Sequence, residues 1–193
     1  MKRLKIAMMS MTHGHTRKYY QVLKENPKLD WVAVATANDE VKEIFLNSVD
    51  GIPCYDSEIE MLDAHPEIEA VVLASENSDH LRQMKLCAER GIHILSMKVP
   101  TFDMEEYDEM INIVEKNNLV CQVELEMHYN PVIVRLKEMV ESGELGKIVA
   151  IKHSENIGNF HMAHSFVRGN WRNDTLSSPI MRKSEYSGMF GDY

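Results

Sequence analysis

Short runs that are apolar at nearly every position alternate along this chain with longer stretches whose apolar residues recur every three or four places. The runs are Leu4–Ser10, Trp31–Thr36, Ile52–Tyr55, Ala70–Ala74, His93–Ser96 and Val120–Val123. They lack the in-and-out alternation of a half-exposed strand, so they predict strands of a parallel sheet covered on both faces. The stretches between them predict helices at His15–Glu25, Asp39–Ser48, Ser57–Ala64, Ser78–Arg90 and Met104–Asn117. Two boundaries carry their own chemistry. Gly91 follows Arg90 and can take the left-handed conformation that closes a helix, and Asp103 precedes Met104 as an N-cap with Glu106 three residues on. Because crossovers between parallel strands are right-handed, this rhythm predicts an α/β fold, a doubly wound parallel sheet of strand order 3-2-1-4-5-6.

After Val123 the pattern changes. Pro131–Ser142 is amphipathic, "GELG" is a turn, and Lys147–Asn156 alternates like a strand with one exposed face. We read residues 1–123 as one domain and 124–193 as the opening of a second, α+β in character. From Ile157 the chain is mostly polar. A strand at Lys147–Asn156 with nothing downstream to pair with would present an open edge.

Composition narrows the function classes. With 193 residues and 44% hydrophobic content the chain can bury a proper core. A formal charge of −9 argues against nucleic acid as a partner, because neutralising phosphates takes clustered Lys and Arg. Cys54, Cys87 and Cys121 stand singly in apolar surroundings and read as reduced core residues of a cytoplasmic protein. The basic start leads into no cleavage-site pattern, and no stretch is long enough to span a membrane. His153, His161 and His164 lack the spacing of a zinc site, so no metal is expected.

The succession "VAVAT", "VVLASENSDH", "GIHILSMKVP" and "HYNPVIVRLKEMVESGELGKIVAI" resembles the Gfo/Idh/MocA oxidoreductases, from Lys5 to Trp171. The resemblance implies a Rossmann domain that binds NAD or NADP, a sugar-like or polyol substrate between whose carbon and the cofactor a hydride moves, and a homo-oligomer. It also implies a longer second domain than 193 residues hold, so the chain reads as truncated.

The candidate site residues follow from that resemblance. Ser10, Thr12, His13, Gly14 and His15 lie where the pyrophosphate would meet the start of the first helix, where main-chain N–H groups and the helix dipole favour anions. Only one glycine stands there instead of the usual three. Thr36 occupies the strand end where an acid usually takes the ribose hydroxyls, leaving the choice of NAD or NADP open. Ser75, Asn77 and His80 lie in "ASENSDH", similar to the family's "ATPNSLH", beside the cofactor. Lys98 aligns with the lysine of the family's "E-K-P", which holds the substrate hydroxyl and assists proton transfer; Met97 and Val99 replace its neighbours. His128, Arg168, Trp171 and Arg172 are weaker substrate candidates. Two rival readings are a nucleotide-binding protein without turnover, and an assembly module that offers the strand at Lys147–Asn156 to another chain.

Overall fold

A computed structural model of the chain describes residues 2–13, 16–101, 103–152 and 154. Six parallel strands, β1 (Leu4–Met9), β2 (Leu29–Ala35), β3 (Cys54–Tyr55), β4 (Ala70–Leu73), β5 (His93–Ser96) and β6 (Cys121–Val123), form one sheet of order β3-β2-β1-β4-β5-β6. This is the predicted doubly wound order. The crossovers are α1 (Thr16–Glu25), α2 (Asp39–Ser48), α3 (Glu58–Ala64), α4 (Asn77–Ala88) and α5 (Met104–Lys116).

Alternate residues of each strand enter opposite faces, and both faces are covered. Ala7, Met9, Ala33, Ala35, Val71 and Leu73 pack with Met61 and Leu62 of α3, Met84 and Cys87 of α4 and Met110 of α5. Ile6, Met8, Val34, Ala70 and Val72 pack on the other face with Leu23 of α1 and Phe45 of α2. There Tyr20 and Trp31 stack with ring centroids 5.7 Å apart, and Phe45 meets both rings edge-on. Burying aromatic groups of this size supplies a large part of a core's stabilisation.

The caps read from the sequence form as expected. The Asp103 carboxylate accepts from the amides of Glu105 and Glu106, and Gly91 closes the end of α4 at φ +68°. Asn38 and Ser57 cap α2 and α3 in the same way. Two strand ends differ from the pattern. β2 begins at Leu29 rather than Trp31, since Leu29 and Asp30 pair with Leu4 and Lys5 and the Lys5–Asp30 ion pair of 2.8 Å ties the rim. β1 ends at Met9, because Ser10 turns to φ 74°.

Beyond β6 a 3-10 turn (Glu126–Tyr129) leads into α6 (Pro131–Glu141), with Asn130 as N-cap and Pro131 in its first turn. The expected strand at Lys147–Asn156 does not form over residues 147–152. A strand exists only when a neighbour completes its ladder, and no described segment pairs there; Val149 and Ile151 stand 88% and 87% exposed. No described helix is long and apolar enough to cross a membrane.

Candidate functional site

The carboxyl ends of β1, β2 and β4 meet at the point where the strand order reverses, which is where open α/β sheets place ligands. At the end of β1 the chain makes a tight γ-turn: the Met11 amide donates to the Met9 carbonyl at 3.1 Å around Ser10 at φ 74°, and Met11 follows at φ 68°. Two consecutive side-chain-bearing residues therefore hold the left-handed region that glycines usually fill. The turn also engages its own amides. Ser10 N–H donates to the Ala35 carbonyl at 2.7 Å and His13 N–H to the Ala74 carbonyl at 3.0 Å. Hydroxyls lie alongside, with Ser10 Oγ 3.2 Å from Thr12 Oγ1. Thr12 and the Ser10 hydroxyl stand at this turn ahead of α1; Gly14 and His15 lie outside the described residues.

A cleft of about 300 Å³ opens here, lined by Ser10, Thr12, Thr36, Asn38, Glu76 and Asp79 among others. Thr36 is held by β3, its amide donating to Tyr55, and its Oγ1 accepts from the Asn38 amide at 3.3 Å. Of the three candidates from "ASENSDH", none lines this cleft. The Ser75 hydroxyl donates to Gln83 Oε1 at 2.6 Å, and Gln83 passes on to Glu58, which Arg82 grips with two bonds. Asn77 Nδ2 donates to the Val99 carbonyl. His80 is fully buried, with Nδ1 at 2.8 Å from the Pro100 carbonyl. A carbonyl only accepts, so Nδ1 carries the proton. Burial lowers the His80 pKa to about 4, against smaller opposing contributions from the Pro100 carbonyl and Asp79.

Lys98 follows β5 and is 5% exposed. The Lys98–Val99 peptide bond is cis. The ammonium lies 4.0 Å from Glu126, which also pairs with Lys18 at 3.6 Å. Glu124 is buried beside them, and the Tyr19 hydroxyl bonds to it; burial first, and then that carboxylate, raise the tyrosine's pKa well above its usual value. His13 is buried with its Nε2 3.3 Å from the Lys98 carbonyl. His128, on the turn Glu126–Tyr129, is exposed. Arg168, Trp171 and Arg172 lie outside the described residues, as do His153, His161 and His164. The residues missed in the sequence are Tyr19, Glu124 and Glu126. The pair "ELE" directly after β6 sits at a strand's carboxyl end, and that position was the available signal.

The cleft and its hydroxyls suit the ribose and phosphate portions of a dinucleotide. The chain matches the description "Oxidoreductase family, NAD-binding Rossmann fold" over residues 6–125. It is similar to the scyllo-inositol 2-dehydrogenase (NAD(+)) of Bacillus subtilis, 29% identical over 87 residues that make up 45% of this chain and 25% of the relative. It is also similar to the D-xylose 1-dehydrogenase (NADP(+)) of Hypocrea jecorina, 26% identical over 121 residues, 61% of this chain and 31% of that one. Among solved structures, myo-inositol 2-dehydrogenase from Lactobacillus plantarum shares the fold with a TM-score of 0.69 at 20% identity, covering 77% of this chain and 44% of that one. The chain thus spans less than a third of the two curated relatives.

Proposed function

The chain belongs to the Gfo/Idh/MocA oxidoreductase family and carries its NAD-binding Rossmann domain, and on that premise we propose that it transfers a hydride between a nicotinamide cofactor and a neutral polyol or sugar carbon. The observation that carries this reading is Lys98, a lysine buried at the carboxyl end of β5 with its nitrogen 4.0 Å from Glu126. In its amine form Lys98 accepts the hydroxyl proton of the substrate alcohol, and in its ammonium form it returns a proton to the ketone oxygen. Glu126 is exposed and relays that proton to water. A bound nicotinamide supplies the hydride acceptor or donor; the chain holds it and places the alcohol. The relatives named for inositol and xylose support a polyhydroxylated substrate.

NAD is the preferred cofactor in this reading. Among the described residues lining the cleft are the carboxylates Glu76 and Asp79 and the neutral Thr36 and Asn38, and none is a lysine or arginine. Lys42, one turn into α2, is engaged by Asp56. A 2′-phosphate would therefore meet no cation of the lining. Residues 124–193 act as the start of a substrate-binding domain in a homo-oligomer, and the unpaired thiols suit a cytosolic setting.

Calorimetry of NADH and NADPH on the purified chain comes first, with NADH expected at least about ten-fold tighter. Equal affinities would refute the NAD preference. Oxidation of myo-inositol, scyllo-inositol and D-xylose then compares wild type with Lys98→Ala, where kcat is expected to fall by about 10²–10⁴. Unchanged turnover in Lys98→Ala would remove the lysine from the chemistry. A second reading, cofactor binding without turnover, is supported by the turn after β1, whose Ser10, Met11 and His13 amides are already bonded to protein carbonyls. NADH binding with no turnover on any polyol would favour it.

A further inference from the structure

Three side chains hold three successive carbonyls, that of Lys98 and those of the two residues after it. His13, between β1 and α1, bonds the Lys98 carbonyl; Asn77, the first residue of α4, bonds the Val99 carbonyl; His80, one turn further along α4, bonds the Pro100 carbonyl. All three side chains belong to residues that are no more than 4% exposed. A loop that leaves a strand end usually gives its carbonyls to water. Here the carbonyls of residues 98 to 100 are taken one after another by donors from two separate segments of the chain. The anchoring segments are themselves fixed: His13 donates its amide to Ala74, and the Met97 amide just before the loop donates to Leu73, so both refer to the end of β4.

We propose that His13, Asn77 and His80 are positioning residues for Lys98. They act through the backbone of residues 98–100 and set where the amine stands against Glu126. The proposal rests on the reading that the Lys98 amine is the working group of the site, but the comb of hydrogen bonds can be tested without substrate or cofactor. The spacing has a physical reason. Asn77 and His80 are three apart on α4 and so share a face, and the carbonyls of residues 99 and 100 lie against that face. His80 suits the task because burial keeps its ring neutral, with one fixed N–H to give.

The test is competitive labelling of amines in the full chain with trace acetic anhydride, read by mass spectrometry across a pH series, with exposed Lys28 as the internal standard. Circular dichroism and thermal unfolding check that each variant folds. His80→Phe keeps the volume and removes the donor, and Asn77→Ala removes the second donor. Each is expected to raise the labelling rate of Lys98 relative to Lys28 by roughly five- to ten-fold, the change in local opening that the loss of one buried hydrogen bond produces. His80→Asn, whose Nδ2 stands near the lost Nδ1, is expected to restore the wild-type ratio. An unchanged Lys98 ratio in both His80→Phe and Asn77→Ala would overturn the proposal. So would His80→Asn labelling as fast as His80→Phe, since packing rather than the donated bond would then be responsible. If His80→Phe fails to fold, Asn77→Ala and Asn77→Ser decide on the same readout. Lys98→Ala turnover tests the separate claim about chemistry, so the two readings fail independently.

Discussion

Ser10 and Met11 hold the left-handed region without being glycine, at φ 74° and 68°. A side-chain-bearing residue there costs about 1–2 kcal/mol, and the surrounding bonds to Ala35 and Met9 keep it in place. Ser10→Gly is therefore expected to raise stability by about 1 kcal/mol and Ser10→Val to lower it by at least as much, measured by urea unfolding. Met11 is different, since it is buried against Tyr20, whose hydroxyl lies 3.5 Å from its sulfur, so Met11→Gly trades strain for a cavity. His80 gives a pH dependence with a definite sign. Its pKa is about 4 in the fold against 6.5 free, so between these values the unfolded chain binds the extra proton. The stability this confers is complete above pH 6.5 and is lost progressively as pH falls toward 4, up to about 3 kcal/mol. His80→Asn should flatten that part of the profile; the check is the difference between wild type and variant in urea midpoints at about pH 7 and about pH 4.5. An identical pH dependence in the two proteins would exclude His80 as the source. The chemical identity of Ser10, His80 and Lys98 as candidates was legible in the sequence. Which neighbour each one touches was not, because Lys98 and His13 stand far apart along the chain.

Among the elements, those with chemical end signals were the most legible. The Asp103 cap of α5 accepts from two amides at 2.8 and 3.1 Å, and Thr101 Oγ1 bonds Glu106 at 2.7 Å to close the same turn. Asp103→Ala is expected to cost about 1 kcal/mol in thermal or urea unfolding, more than removing an exposed ion pair such as Lys137–Glu141. Over residues 147–152 the segment after Gly146 departs from the expected strand, because alternation is a property of one strand whereas a ladder needs two. The pattern of Lys147–Asn156 specifies which face would be buried, and none of the described residues pairs with it. The α6 helix shows the same limit. It caps correctly at Asn130, yet none of its residues is buried, and Val132, Leu136 and Val140 stand 72%, 48% and 43% exposed.

Across the whole molecule stability is uneven. Strands β1 and β4 sit at the centre of the sheet with Met8, Met9, Val71, Val72 and Leu73 fully buried, while α6 draws no buried contact to its eleven residues. A helix of this length is marginal in water without packing. Hydrogen exchange is expected to separate the two: amides of β1 and β4 exchange only through global unfolding, and those of α6 exchange through local fraying several orders of magnitude faster. Equal protection in both would show that α6 is held by contacts beyond those described. The cofactor reading also belongs to this scale. The cleft exists because the strand order reverses between β1 and β4, so α1 and α4 diverge on opposite faces of the sheet and leave their starts facing one opening.

The sequence by itself determined the order of elements, the winding of the sheet and its two-sided core, because burial on both faces forces near-continuous apolar runs and parallel crossovers have one hand. It also placed Lys98 and the polar turn after β1 at the carboxyl ends of strands. Only the tertiary structure decided what those residues do there. Folding set the left-handed γ-turn at Ser10, which depends on bonds to β2; the turning of Asn77 and His80 toward residues 99 and 100; and the meeting of Lys98 with Glu126. Each is a contact between segments distant in the chain, which local periodicity does not encode.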